Sequence, residues 1–140
     1  MRNDYKHALV AVTVFLSMQF SPSGATVSYA SYGNLVQIEE LGFYPDTLTF
    51  PGDAVSVLVV QNREEGPIQH EILSPELFQS GTLVSIVGTG EIEYDNARIA
   101  KILLSPGEEI VIWFYARKGS TYGFHCNLNG HAMQGTIRTF

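Results

Sequence analysis

A single cysteine in 140 residues excludes an internal disulfide framework. Only eight Lys and Arg stand against fourteen Asp and Glu, a formal net charge of −6, so the chain disfavours nucleic acid and anionic lipid as partners. There is no Ser-His-acid arrangement and no phosphate-binding glycine loop, which removes the commonest hydrolase and nucleotide chemistries. What is present is an apolar fraction of 45%, much of it Val, Ile, Phe and Tyr, the residues of strands rather than of disorder. The length suits one domain with a single core.

The amino-terminal residues 1–25 read differently from the rest. Arg2 and Lys6 precede the apolar run 8–20, which Thr13, Ser17 and Gln19 interrupt, and Ser23-Gly24-Ala25 puts small residues where a leader peptidase cuts. The run is short of the roughly 20 apolar residues of a spanning helix. Residues 1–25 are therefore expected to be a secretory signal peptide and 26–140 the exported domain, in the periplasm or outside the cell. Losing Arg2, Lys6 and Asp4 makes the remainder one unit more negative than the whole chain. In an oxidising compartment an unpaired thiol is buried, joined to another chain, or held by a metal.

From residue 34 onward, short β-forming runs alternate with turns. Strands are expected at 34–41, 47–50, 54–61, 68–73, 97–104, 109–116, 121–126 and 134–140, with 83–87 a weaker candidate. Pro51-Gly52-Asp53 and Ser105-Pro106-Gly107-Glu108 read as Pro-Gly-acid turns whose glycine takes φ above zero. The pattern weakens over 74–96, where Ser74 reads as the cap of a short helix ending at Gly81 and 88–96 as a loop. Many short strands with turn signals between them predict an all-β fold, a two-sheet antiparallel sandwich, with a closed barrel as the nearest alternative.

The chemistry concentrates in Phe124-His125-Cys126-Asn127-Leu128-Asn129-Gly130-His131-Ala132-Met133. Cys126, His131 and Met133 bring a thiolate, an imidazole and a thioether into one loop, a donor set that suits copper rather than magnesium or calcium. His70, on another strand, is the candidate second imidazole. Each has a plainer reading: Cys126 as a buried structural thiol, Met133 as core filler, His70 as an ordinary strand histidine. His125 alternates to the opposite side of its strand from Cys126 and reads as a half-exposed strand residue.

These elements resemble the cupredoxin, or blue-copper, family. The resemblance rests on Phe43-Tyr44-Pro45, Pro51-Gly52-Asp53, Gln69-His70-Glu71, Ser105-Pro106-Gly107, Phe124-His125-Cys126, Gly130-His131 and Met133-Gln134-Gly135, and covers nearly all of 26–140. It implies a Greek-key sandwich of seven or eight strands holding one type 1-like copper, with His70, Cys126 and His131 as ligands and Met133 as axial ligand. Only Ala132 separates His131 from Met133, a shorter spacing than is usual there, so Gln134, the carbonyl of Gln69 or an open position stay as axial alternatives. A His-Cys pair also occurs in copper nitrite reductases and multicopper oxidases, where it serves a second copper. That reading would need His125 donated three times by a trimer.

The resemblance implies a one-electron carrier serving a redox protein partner. The lack of a second metal site, a Ser-His-acid arrangement or a phosphate-binding loop argues against an enzyme, and a monomer without stable membrane association is expected. The acidity of the chain favours a basic, cytochrome-like partner. Periplasmic copper delivery or storage, and a role as an assembly module, are the alternatives that use the same residues.

Overall fold

In this computed structural model, which describes residues 35–140, the strands in chain order are β1 (Leu35–Glu39), β2 (Gly42–Tyr44), β3 (Thr47–Phe50), β4 (Ala54–Asn62), β5 (His70–Ile72), β6 (Leu83–Gly88), β7 (Glu91–Asp95), β8 (Arg98–Leu104), β9 (Glu109–Ala116), β10 (Thr121–Cys126) and β11 (Met133–Thr139). The expected signal peptide lies outside the described residues. Among those residues, no helix is long and apolar enough to cross a membrane.

One layer is the sheet β2-β1-β4-β9-β6. Its inner face follows from period-two alternation. In β9 Ile110, Ile112, Phe114 and Ala116 are buried while Trp113 and Tyr115 point outward. The opposite layer holds two three-stranded sheets, β10-β11-β3 and β5-β8-β7. A bridge joins them where Leu73 and His125 exchange both backbone hydrogen bonds at 2.9 Å. Phe50 meets Phe114 edge to face with ring centroids 5.3 Å apart, which closes the core between layers.

The all-β sandwich is as the alternation predicts. Two pairings are parallel, β1 with β4 and β11 with β3, where a purely antiparallel arrangement was expected. Both join strands that are not neighbours in the chain, so no turn signal reports them. The segment 74–96 also departs from expectation. Ser74 Oγ donates to the Gly123 carbonyl at 2.7 Å instead of capping a helix, and one turn closes by Phe78 N–H to Ser74 O. Leu77 and Phe78 are buried, so this turn anchors the connection to the core. The expected loop 88–96 contains β7, paired with β8 through Asn96 and Ala97, both at positive φ, a two-residue hairpin turn without its usual glycine.

The two Pro-Gly turns differ. Gly107 has φ +83° as expected. In the other turn the left-handed residue is Asp53, φ +56°, whose carboxylate accepts the Lys118 N–H at 3.2 Å. Gly52 is required instead by space, since a Cβ there would sit 2.2 Å from Lys118 Cα.

Candidate metal centre

Three elements deliver the three strongest donors. His70 opens β5, Cys126 closes β10, and His131 follows the 3-10 turn Leu128–Gly130. The Leu73–His125 bridge draws β5 alongside the end of β10, which carries His70 to Cys126 across 56 positions of sequence. Asn129 and Gly130, at φ +53° and +82°, turn the chain back so that the His131 N–H reaches the Leu128 carbonyl and its ring faces the sulfur.

Cys126 Sγ lies 3.7 Å from His70 Nδ1 and 3.7 Å from His131 Nδ1. All three donor atoms fall within 4.8 Å of one another. Thiolate and imidazole donors stand about 2.3 and 2.0 Å from a borderline divalent ion, which separates them by about 3.7 Å around a trigonal centre. The donor set and its spacing therefore fit one type 1 copper ion.

Met133 reaches this cluster by a route that loop spacing does not reveal. It is the direct antiparallel partner of Cys126, so both side chains project from the same face of their sheet. Its side chain is buried at 4% exposure, beside the fully buried Cys126. Two register pairs further, Gly135 faces Phe124, and a Cβ at Gly135 would fall 2.1 Å from the Phe124 ring. That ring packs edge to face on Phe43 with centroids 4.9 Å apart. The glycine two positions after Met133 thus admits the aromatic floor beneath the cluster. His125 is half-buried and stands outside the group of donors that the fold brings together.

Three polar residues support the cluster. Glu71 donates its backbone N–H to Cys126 Sγ at 3.4 Å, and its carboxylate accepts the Asn127 N–H at 3.1 Å and lies 3.6 Å from Lys101 Nζ. Glu64 Oε1 stands 3.0 Å from His70 Nε2 and accepts the Leu41 N–H at 3.0 Å. Asn62, fully buried, donates to the carbonyls of Ile68 and Leu104 and accepts the Glu64 N–H, tying together the turn between β4 and β5.

Burial pushes the His70 imidazole below its ordinary pKa; Glu64 opposes the shift and His131 adds to it. His70 is therefore neutral near pH 7 and retains a lone pair. Desolvation raises the Glu64 carboxyl, but the Leu41 N–H and the His70 imidazole outweigh it and hold the group below its usual value. No pattern in the sequence singles out these three supporting residues. Glu64 precedes His70 by six positions across an irregular turn, and no periodicity connects them.

The chain has the cupredoxin fold. It is similar to auracyanin B, with a TM-score of 0.51 and 19% identity over 76% of this chain and 86% of that one. It is likewise similar to dithionite-reduced auracyanin from the photosynthetic bacterium Roseiflexus castenholzii, with a TM-score of 0.50 and 21% identity over 76% of this chain and 97% of that one. A multicopper oxidase aligns at a TM-score of 0.51 and 10% identity over 76% of this chain and 43% of the oxidase. No protein-family model and no curated protein matches the sequence. Identities this low establish the fold, which the auracyanins and the multicopper oxidase share, and function has to be argued from the site.

Proposed function

We propose that residues 26–140 are an exported mononuclear copper protein that carries single electrons between redox partners, with His70, Cys126 and His131 as ligands and Met133 as the weak axial ligand. The observation that carries this reading is the placement of Sγ within 3.7 Å of two Nδ1 atoms that belong to separate elements of the fold. Copper held there supplies one-electron chemistry, alternating between Cu(II) and Cu(I).

The chain's own residues do the rest. Burial favours the neutral His70 imidazole, whose Nδ1 faces Cys126 Sγ, and the Glu71 N–H points at the same sulfur. Strand pairing between Cys126 and Met133, and the bridge between β5 and β10, fix these donors in a frame that needs little rearrangement. His70 and Cys126 are sealed from solvent, whereas His131 is half-buried. His131 is thus the donor through which a partner approaches, and half-buried Leu128 and exposed Ala132 border it. The net negative charge, one unit greater for 26–140 than the −6 of the whole chain, favours a partner with a basic face.

The test adds Cu(II) to the metal-free protein and records the visible spectrum. An intense thiolate-to-copper band that Cys126→Ser abolishes is expected; a colourless copper complex, or a band that survives Cys126→Ser, refutes the site. Rapid electron exchange with a small redox protein separates a carrier from a copper-delivery protein, whose copper would instead pass readily to a chelator.

A further inference from the structure

Among the described residues, one carboxylate touches the far side of a proposed ligand. Glu64 Oε1 is 3.0 Å from His70 Nε2, and its side chain is only 9% exposed. A carboxylate accepts and does not donate when ionised, so His70 carries its proton on Nε2 and turns the Nδ1 lone pair toward Cys126 Sγ. The opposite tautomer would point an N–H into the donor cluster and deprive Glu64 of its imidazole donor. Glu64 is itself held at both ends. Its backbone N–H bonds to Asn62 Oδ1 at 3.1 Å, and its Oε1 accepts the N–H of Leu41 at 3.0 Å. Glu40 and Leu41, at φ +49° and +59°, form the left-handed turn that aims this N–H inward.

We infer that Glu64 is a positioning residue for the metal centre: it holds His70 in its ligand tautomer and places one negative charge behind that ligand, favouring the more highly charged state of a bound metal. This inference rests on the copper reading given above. A carboxylate behind a ligating imidazole makes the ring a stronger donor and fixes its orientation. The charge acts through the ring on the metal, stabilising Cu(II) over Cu(I) and lowering the reduction potential. His131, whose Nδ1 faces the same sulfur, is half-buried, so the two imidazoles stand in unequal surroundings.

The experiment compares the native protein with Glu64→Gln and Glu64→Ala. In the metal-free proteins, nitrogen NMR of the His70 ring reads the tautomer directly, with no need of copper. The native ring is expected wholly as Nε2–H, and Glu64→Ala is expected to populate Nδ1–H. In the copper-loaded proteins, Glu64→Gln keeps the shape and removes the charge. The ratio of Cu(II) to Cu(I) affinity is expected to fall about tenfold, a rise in potential of about 59 mV. A ring that stays Nε2–H in Glu64→Ala, or a potential unchanged in Glu64→Gln, overturns the inference. Should Glu64→Ala fail to fold, the Gln variant's potential decides. If the native protein shows no thiolate-to-copper band, the copper reading fails by itself, and the tautomer of metal-free His70 still decides whether Glu64 governs that ring.

Discussion

The two imidazoles at the cluster face the same sulfur at the same 3.7 Å, yet they are held in opposite ways. His70 is fully buried, begins a strand, and has both ring nitrogens engaged, one by Cys126 and one by Glu64. His131 is half-buried and follows a turn that contains two left-handed residues. Their rings lie 4.9 Å apart, so one site joins a rigid interior wall to a surface loop. The wall fixes geometry without access. The loop supplies access and depends on the wall for its geometry.

The largest expected effect comes from breaking the wall. His70→Ala leaves a cavity and strands the Glu64 carboxylate without its partner, and should destabilise the metal-free fold by roughly 3 kcal/mol. His131→Ala removes a half-exposed ring and should cost less than about 1 kcal/mol. Chemical denaturation of the two metal-free variants measures the gap; equal losses would show that burial does not distinguish the two histidines.

Glycines sharpen the same contrast. Gly135→Ala drives a methyl into the Phe124 ring, where overpacking costs about 1–3 kcal/mol. Gly130→Ala meets no atom within 4 Å but must hold φ +82°, a left-handed strain of about 1 kcal/mol. The first should unfold at clearly lower denaturant and the second should mainly weaken copper binding. If the metal-free Gly130 variant proves the less stable of the two, the loop is more tightly integrated than its exposure implies.

Met133→Leu preserves volume, so the metal-free fold should lose less than about 1.5 kcal/mol. The copper-loaded variant should differ in visible band shape if the thioether contacts the ion, and an identical spectrum would return Met133 to the role of core filler. Smallest in stability is Ala132→Glu, within about 0.5 kcal/mol at an exposed position. Electron exchange with a protein partner should slow markedly while the copper spectrum stays unchanged. Unaltered exchange would move the docking surface away from His131.

Much of this was legible in the residues alone. Alternation in 109–116 and 121–126 announced strands because each side chain's burial is decided by its own parity. The donor types at His70, Cys126, His131 and Met133 were visible because a lone cysteine among imidazole and thioether groups is an uncommon set. The excursion at 74–96 was not legible, since Ser74 spends its hydroxyl on Gly123, a residue 49 positions away. Nor was the site of Met133, whose relation to Cys126 is a cross-strand pairing rather than a loop spacing.

The sequence by itself determined the strand periodicities, the ligand chemistry and the acidic surface, because each is a property of residue type and near neighbours. Tertiary structure decided which carboxylate stands behind His70, which N–H faces the sulfur, and which histidine meets solvent. Those contacts join β1, β4, β5 and β10 through parallel pairing, an isolated bridge and an irregular turn. None leaves a repeating mark along the chain, so they exist only once the layers have closed.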